Sequence, residues 1–493
     1  MYESKRCERV VLRFPRSSDF TLERGVGVNW HHNWFPNGAP RDSAPPIDDS
    51  ERWDTLLSEL TVARPSCLRF GYAARRFTNE NGAIDFGAEG FEALARLDAW
   101  AAKHNCILCF DPWMIPPAHS FGTGTDGSVA DAPADPQRYV DEFLVPVMEH
   151  IRNTLNLRSV RDFILLNEPL TYGEDGTSRA AFSCPEGIDR FSVYFEVHRL
   201  LRQRMSERDI DFNVIGPDTN STLYWAVDYL RDRDLDLTPF IDAYDQHSYW
   251  VRFDYLPPNP SVAATVPVGD NVDNQIRTNA RFARSHGKPY YITELGTFYY
   301  GWRRGDPFGP ARHDAVILEA EMIVRCMAVG VGGFYRWAFI APGEYGDGVW
   351  AFVNTVDDSY TRQPNTFYGY AALMRYTEHG SRVWVPESSE EPSTYRHIHA
   401  VGLELPDGSH TIIVVNNHWA QERVIDIDLP DSFIGSHYQR LLTDSTRKMW
   451  RLEVGTANRL EAVAPPMSVL VFTDARRPGD QDFPEDTNVP TTE

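Results

Sequence analysis

Cysteine is scarce in this chain, with six among 493 residues. So few cysteines in a chain of this length exclude a fold held together by a disulfide framework. Cys106 and Cys109 form a C-x-x-C within the apolar run CILCF. Residues three apart in a strand face opposite sides, so this pair cannot close on one metal ion. We therefore expect two buried thiols in a reducing cytoplasm.

Positive charge is also in short supply. The chain has 48 Lys and Arg against 70 Asp and Glu, which gives a formal net charge of −22. That charge repels polyphosphate and anionic lipid, and no basic run offsets it locally. Nucleic acid and membrane surfaces are therefore excluded as partners, and a neutral or cationic ligand is expected.

Long apolar runs are missing as well. The N-terminal sequence MYESKRCERVVLRF has no apolar stretch followed by small residues, which a secretory signal requires. No run approaches the 18 or so apolar residues that would span a bilayer. We therefore expect a cytoplasmic protein. Its oligomeric state is not encoded in any pattern that we can interpret.

What the sequence does contain is a regular alternation of short apolar runs with amphipathic helical stretches. The strand candidates are residues 25–30, 66–72, 106–113, 162–169, 212–218, 241–249, 290–296 and 332–339. The helical stretches include residues 91–104, 139–155, 191–205, 274–287, 315–329 and 367–380, the last ending on a glycine. Eight such units predict an α/β fold, a (β/α)₈ TIM barrel over residues 25–380.

The long connections of this predicted barrel all follow a strand and precede a helix. They are residues 114–136, 170–189, 250–272, 297–313 and 340–365. In a (β/α)₈ barrel these loops meet at the C-terminal face, where active sites are built. An open doubly wound sheet would need a G-x-G-x-x-G turn after its first strand, and GVGVNW lacks one.

The pattern of apolar and polar residues changes after the predicted barrel. Strand-like runs without helical periodicity, separated by turn signals, predict a smaller antiparallel β-sandwich over residues 381–475. The run VVLRF within residues 1–24 is expected to add an edge strand to it. The polar, proline-rich residues 476–493 are predicted to be a disordered tail.

Two glutamates stand where chemistry is expected. Glu168 ends the fourth predicted strand, and Glu294 lies near the end of the seventh. Strands four and seven face each other across the barrel mouth, so both carboxyl groups can enter one cavity. A pair of this kind is what acetal cleavage requires, with one carboxyl protonated and the other ionised. A separation of about 5–5.5 Å indicates a retaining reaction, and about 6.5–9.5 Å an inverting one.

These motifs resemble those of the clan A glycoside hydrolases. Asn167-Glu168-Pro169 is similar to that superfamily's acid/base motif, and Thr293-Glu294-x-Gly296 to its nucleophile strand. Family 5 is the most similar, with families 30 and 39 as close alternatives. The resemblance implies that Glu168 is the acid/base and Glu294 the nucleophile.

Further positions agree with family 5. Arg69 in CLRFGY matches the arginine that supports the nucleophile, and a guanidinium there would keep the pKa of Glu294 low. His247 and Tyr249 match the His-x-Tyr of strand six, and Trp337 the tryptophan beneath the sugar. By the same resemblance, Asn167 reaches the sugar's 2-hydroxyl group, and the tyrosine hydroxyl holds the nucleophile.

One position departs from family 5. The histidine usual at the end of strand three is replaced by FDPW, so Asp111 or Trp113 takes its place. On strand one, at least one of Asn29, His31 and His32 is expected to line the sugar pocket, and His32 is our candidate. His31 and His32 are adjacent and face opposite sides, unlike the H-x-H of metal-dependent barrel hydrolases, so we expect no metal and no cofactor.

The predicted loops are rich in aromatic rings, which suit the apolar faces of sugars. These rings are Trp113, Tyr172, Trp250, Phe298, Tyr299, Tyr300, Trp302, Tyr345 and Trp350. The sequence therefore predicts a retaining glycosidase that acts on carbohydrate, exo-acting on short, β-linked oligosaccharides or glycosides. An endo-glycanase or transglycosidase with the same glutamates is the alternative. A metal-dependent barrel hydrolase and a non-catalytic sugar-binding barrel are more remote ones.

Overall fold

The computed structural model contains a closed barrel of eight parallel strands. It describes residues 8–32, 49–72, 74–112, 115–123, 129–169, 184–219, 227, 230–250, 275–297, 312–341, 350–354, 360–390 and 396–485. Barrel strands 1 to 8 are Gly25–His32, Cys67–Tyr72, Ile107–Asp111, Val160–Ile164, Asn213–Thr219, Ala243–Trp250, Tyr290–Thr297 and Gly333–Arg336. Each pairs with its neighbours in chain order, and strand 8 closes on strand 1. The predicted TIM barrel is confirmed.

Helices follow the barrel strands and cover the outside of the barrel. The longer ones are Ser50–Ala63, Glu89–His104, Arg190–Arg208, Arg277–Ser285, His313–Met327 and Pro364–Met374. After strand 3 one helical run is built from Pro136–Tyr139, Val140–Leu144, Val145–Glu149 and His150–Thr154, of which the second and fourth segments are π-helical. Short 3₁₀ turns lie at Ala74–Phe77, Thr238–Phe240, Asp431–Phe433 and Asp480–Asp482.

A small layer of mostly apolar side chains fills the barrel interior. It consists of Cys67, Ile107, Cys109, Ile164, Ile215, Ala243, Tyr291 and Tyr335. A much larger apolar cluster lies between the strands and the surrounding helices and includes Cys106. Cys106 and Cys109 thus belong to different clusters, as their spacing predicts, and burial raises the pKa of both thiols.

The second domain packs two sheets around their own apolar core. The seven-stranded sheet is, in spatial order, Phe20–Leu22, Ser381–Trp384, Ile398–Glu404, His410–Asn416, Ser468–Thr473, His437–Thr443 and Trp450–Thr456. The four-stranded sheet is Glu387–Ser388, Glu8–Arg13, Arg423–Asp428 and Arg459–Ala464. The N-terminal segment therefore supplies a strand to each sheet. Glu8–Arg13 pairs parallel with Arg423–Asp428, an exception to the predicted antiparallel pattern.

The remaining strands form two small sheets outside the barrel and the sandwich. Ser120–Thr123 pairs antiparallel with Val129–Pro133 after barrel strand 3. Ile340–Ala341, Val353–Asn354 and Thr361–Arg362 form a three-stranded sheet after barrel strand 8.

Two boundaries differ from the prediction. The last barrel helix ends at Met374 rather than at Gly380, and the side chain of the following Arg375 bonds the Val62 and Pro478 carbonyl groups. Residues 476–485 of the predicted disordered tail are ordered, since the buried Asp480 accepts hydrogen bonds from Arg375 at 2.6 Å and Tyr376 at 2.8 Å. Residues 486–493 lie outside the described residues. Within the described chain, no helix has the length and apolar character needed to cross a membrane.

Close packing of the barrel imposes a steric requirement at Gly27 on strand 1. A Cβ added there would lie 1.8 Å from the Cys67 carbonyl oxygen, which is backbone and cannot rotate away. We expect Gly27→Ala to lower the free energy of unfolding by about 2 kcal/mol or more, as overpacking does. The matched control is Gly87→Ala, where the nearest atom is a side-chain oxygen 3.4 Å away. Urea midpoints that are equal for the two variants would contradict the requirement.

Candidate active site

Polar side chains converge at the carboxyl ends of the barrel strands. Strands 1, 2, 3, 5, 6 and 7 supply Asn29, Arg69, Asp111, Asp218, His247, Tyr249 and Glu294, and Asn167 and Glu168 follow strand 4. Parallel strands in a closed barrel end at the same rim, so residues distant in sequence meet there. The structure thus brings together seven of the ten predicted site residues.

Arg69 lies at the centre of this arrangement and is fully buried. One guanidinium nitrogen, Nη1, donates to Glu294 at 2.5 Å. The other, Nη2, donates to Asp111 at 2.9 Å, Asp218 at 3.0 Å and the Asn167 side-chain oxygen at 2.9 Å. Burial alone would lower the pKa of Arg69, but the three carboxylates raise it well above its usual value. The guanidinium is therefore a fixed positive charge.

Glu294 is held from two sides. Its Oε1 accepts from Arg69, and its Oε2 accepts from the Tyr249 hydroxyl at 2.8 Å. Burial nevertheless raises the pKa of Glu294, although the charges of His247 and Arg69 oppose the rise. The expectation of a low pKa is therefore wrong, because removal of the carboxylate from water outweighs its two cationic neighbours.

Glu168 occupies a different environment at the rim. Strand 4 ends at Ile164, earlier than predicted, and Glu168 takes a positive φ of 47°. Its side chain is 24% exposed, against 7% for Glu294. Its Oε1 lies 2.8 Å from His247 Nδ1, the same nitrogen that lies 3.3 Å from Glu294 Oε2. One carboxyl oxygen of each glutamate and one ring nitrogen of His247 lie within 4.8 Å of one another.

His247 is buried between carboxylates on both sides of its ring. Its Nδ1 faces Glu168 and Glu294, and its Nε2 lies 3.0 Å from Asp218. Burial alone would lower the pKa of His247, but Glu294 and Asp218 raise it well above the usual value. These carboxylates therefore favour the protonated imidazolium form of the ring.

The two aspartates that contact Arg69 differ in the direction of their pKa shifts. Burial raises the pKa of Asp111, with Arg69 opposing the rise and Asp218 adding to it. For Asp218, burial acts in the same direction, but Arg69 and His247 hold its pKa well below the usual range. Below them Asp245 accepts from the Asp218 backbone at 2.7 Å and from Thr293 at 2.7 Å, and burial raises the pKa of Asp245.

The other predicted site residues have varied outcomes. Trp337 follows strand 8 and packs with Trp350 in an apolar cluster that Tyr249 contacts. His32 ends strand 1, but its side chain is outside what the structure describes. Trp113 is not among the described residues, nor are the loop aromatics Tyr172, Phe298, Tyr299, Tyr300, Trp302 and Tyr345 and the ring of Trp250.

Asp111 accepts a hydrogen bond from Arg69, so it supports the guanidinium that binds Glu294. Asn29 has a supporting place too, because its amide donates to the Thr293 carbonyl at 3.1 Å and the Tyr335 carbonyl at 2.9 Å.

Sequence reasoning missed Asp218 and Asp245. Asp218 ends the fifth predicted strand, FNVIGPD, and Asp111 likewise follows the apolar run of the third. That signal was present in the sequence. Asp245 precedes His247 and Tyr249 by two and four residues. In a regular strand this spacing places all three side chains on one face.

Among the described residues, Glu168, His247 and Glu294 are close enough together to be considered as ligands of a metal ion. The distances between them fit hydrogen bonds better than metal coordination. Ligand atoms around a tetrahedral zinc ion, each about 2.1 Å from it, lie more than about 3 Å apart. Glu168 Oε1 and His247 Nδ1 are 2.8 Å apart, a hydrogen-bond distance. Both oxygens of Glu294 already accept from Arg69 and Tyr249, and the Arg69 charge would repel a cation.

Comparison with known proteins gives the fold. No protein-family model and no curated protein matches the sequence. Among solved structures, the catalytic domain of a GH30 xylanase C from Talaromyces cellulolyticus has a TM-score of 0.62 at 12% identity, over 94% of this chain and 99% of that one. An endo-beta1,6-glucanase gives 0.62 at 13% identity, over 94% of each chain. A family 51 α-L-arabinofuranosidase from Bifidobacterium longum gives 0.59 at 14% identity, over 94% and 99%.

The chain has the fold of clan A glycoside hydrolases. The resemblance found from the motifs is confirmed at that level, including the barrel with an attached β-sandwich. Family 30, an alternative from the sequence, is represented among these structures. The family to which this chain belongs stays a prediction.

The buried charges around Arg69 lead to a test on stability. Arg69→Met leaves Asp111, Asp218 and Glu294 buried without their cation, and we expect a loss of about 3–5 kcal/mol at pH 7. Without the guanidinium the folded-state pKa of Asp218 rises, and the pKa values of Asp111 and Glu294, which burial already raises, rise further. The deficit should therefore be largest at neutral pH and shrink as falling pH protonates them.

Urea unfolding at pH 7 and pH 5 measures this difference. The control is Arg138→Met, which removes an ion pair with Glu142 whose side chains are 53% and 56% exposed, and should leave the midpoint nearly unchanged. A deficit in Arg69→Met that does not change with pH would argue against the charge explanation.

Proposed function

We propose that this protein is a retaining glycoside hydrolase. The observation that carries the proposal is the close approach of Glu168 and Glu294: one oxygen of each carboxyl group lies within 4.8 Å of the other at the rim of the barrel. So close an approach favours the separation of about 5–5.5 Å of a double displacement over the roughly 6.5–9.5 Å of an inverting enzyme. The fold shared with a xylanase, a glucanase and an arabinofuranosidase supports a glycosidic substrate.

Glu294 is the proposed nucleophile. Its carboxylate is fixed by Arg69 and by the Tyr249 hydroxyl, so it is oriented before substrate arrives. Burial destabilises the ionised form and makes it a better nucleophile towards the anomeric carbon. Attack forms a glycosyl-enzyme ester and neutralises the buried carboxylate.

Glu168 is the proposed acid/base. Its greater exposure suits a group that must meet the leaving oxygen and then a water molecule from solvent. In the first step it gives its proton to the departing oxygen. In the second it takes a proton from water, which attacks the anomeric carbon and releases Glu294. No metal or cofactor takes part in either step.

The sugar next to the cut is proposed to sit against Trp337, with Asn167 at its 2-hydroxyl group. Arg69 binds the Asn167 side-chain oxygen, which turns the amide NH₂ outward as a donor. Such a contact strengthens as the anomeric centre gains charge. We retain His32 and Trp113 as candidates for the sugar pocket, and Asp111 as a support of Arg69.

The finer specificity remains our proposal from the sequence. We propose exo-action on short, β-linked oligosaccharides or glycosides within the cytoplasm. Endo-action and transglycosylation use the same two glutamates. Product analysis on an oligosaccharide distinguishes them, because an exo-enzyme releases one terminal unit at a time and a transglycosidase forms longer products.

The nucleophile is tested by Glu294→Gln, which keeps the shape of the side chain and removes its charge. We expect turnover on a panel of nitrophenyl glycosides to fall by about 10⁴-fold or more, since no ester can form. Proton NMR of the wild-type reaction should show the sugar released first with its anomeric configuration retained. Inversion, or substantial activity in a folded Glu294→Gln variant, would refute the proposal.

The acid/base is tested by Glu168→Ala. We expect a loss of about 10²–10⁴-fold on substrates with poor leaving groups and a much smaller loss of glycosylation rate on dinitrophenyl glycosides, which need no protonation. Azide should enter the space left by the side chain and partly restore the rate as a glycosyl azide forms. Equal losses on both substrate types, with no azide product, would remove Glu168 from this role.

A further inference from the structure

Asp218 touches both cations of the candidate site. It is the penultimate residue of barrel strand 5 and is fully buried. Its Oδ1 lies 3.0 Å from His247 Nε2, and its Oδ2 accepts from Arg69 at 3.0 Å. Thr293 Oγ1 lies 3.3 Å from Oδ1, and the Glu168 backbone N–H donates to Oδ2 at 3.4 Å. The side chain therefore lies behind the acid/base, on the side of His247 opposite Glu168.

The two faces of His247 determine where its protons are. A carboxylate can only accept a hydrogen bond, so each ring nitrogen that faces one must carry a proton or meet a protonated partner. Asp218 stays ionised because Arg69 and His247 outweigh the effect of burial on its pKa. Nε2 therefore carries a proton towards Asp218. The second proton of the site lies between Nδ1 and Glu168, 2.8 Å apart.

We propose that Asp218 is a positioning residue for the acid/base, an inference that rests on the proposed function. By binding the Nε2–H of His247 it keeps a second proton on Nδ1, directly opposite Glu168 Oε1. Asp218 itself contacts neither substrate nor reacting atoms. Its effect on the reaction passes through the ring of His247.

The proton can then move without any further reactant. As the leaving oxygen approaches, the Nδ1–H bond breaks, its electron pair stays on nitrogen, and an O–H bond forms on Glu168. That O–H bond next breaks as the leaving group takes the proton. In the second half-reaction, water gives a proton to Glu168, which returns it to Nδ1. One water is consumed in each cycle, and His247 ends as it began.

The charges around His247 determine the direction of the expected pH effect. Its ring is faced by Glu168, Asp218 and Glu294, and Arg69 Nη1 lies 3.4 Å from Nε2. Removing the negative charge of Asp218 favours loss of the shared proton, because one of the carboxylates that stabilise the imidazolium against the charge of Arg69 is then missing. The basic limb of kcat/KM, which reports loss of the acid, should move to lower pH by about one unit or more.

Asp218→Asn tests the inference, and Asp111→Asn is its matched control. Both variants remove a carboxylate from Arg69 Nη2, but only Asp218 contacts His247. In Asp218→Asn we expect the loss of kcat/KM on a 4-nitrophenyl glycoside to exceed that on the dinitrophenyl glycoside by about tenfold or more. Asp111→Asn should lower both rates equally and leave the basic limb in place. Identical behaviour of the two variants would overturn the inference.

An NMR measurement makes the test independent of activity. With ¹⁵N-labelled histidine, the wild-type protein should show both nitrogens of His247 protonated at pH 7, and Asp218→Asn should lose one proton. A neutral His247 in the wild-type protein would also overturn the inference, even if Asp218→Asn fails to fold. The nucleophile test remains separate: a failed Glu294→Gln prediction rejects the hydrolase, whereas a failure here rejects only the role of Asp218.

Discussion

The burial of the Arg69 guanidinium among three carboxylates is the interaction on which the site depends. In a low-dielectric interior, a charge without a partner is far more costly than a misplaced apolar group. The carboxylates of Asp111, Asp218 and Glu294 must therefore come to the guanidinium, and they do so from three different strands. A slip of one residue in any of these strands would turn its carboxylate out of the barrel. The ion cluster thus specifies the register of the barrel as well as the chemistry at its rim.

The same cluster makes two identical side chains behave differently. Glu294 lies inside the ring of charges, where Arg69 and Tyr249 hold it still and solvent hardly reaches it. Glu168 lies outside that ring, on a turn with left-handed backbone geometry, and its Oε1 is 2.8 Å from His247 Nδ1. Environment rather than residue type separates the two proposed roles of acid/base and nucleophile.

Much of this could be predicted from the sequence, because apolar runs that end in polar residues reveal both the strands and the rim. All eight barrel strands and both glutamates follow from such patterns, and Arg69 follows from the resemblance to family 5. The raised pKa of Glu294 could not be predicted in this way. The sequence indicates that an arginine is near this carboxylate, but not how far the fold removes the carboxylate from water. The left-handed turn at Glu168 after strand 4 directs its backbone N–H to Asp218, a contact across strands that no local pattern contains. The edge strand Trp450–Thr456 is missing from the prediction although WRLEVGT alternates apolar and polar residues, and most of its side chains are half-buried.

The ends of the chain meet in the second domain, and this has a consequence for biosynthesis. Arg9, on the first strand, bonds Asp426, which lies 417 residues later, and Phe20–Leu22 pairs with Ser381–Trp384. A ribosome adding about 5–20 residues per second needs roughly 20–80 s to cover that interval. During this time the nascent N-terminal strands expose unpaired backbone edges, which favour association with other chains. The charged residues Glu8, Arg9 and Arg13 on the first of them oppose such association until the sandwich is complete.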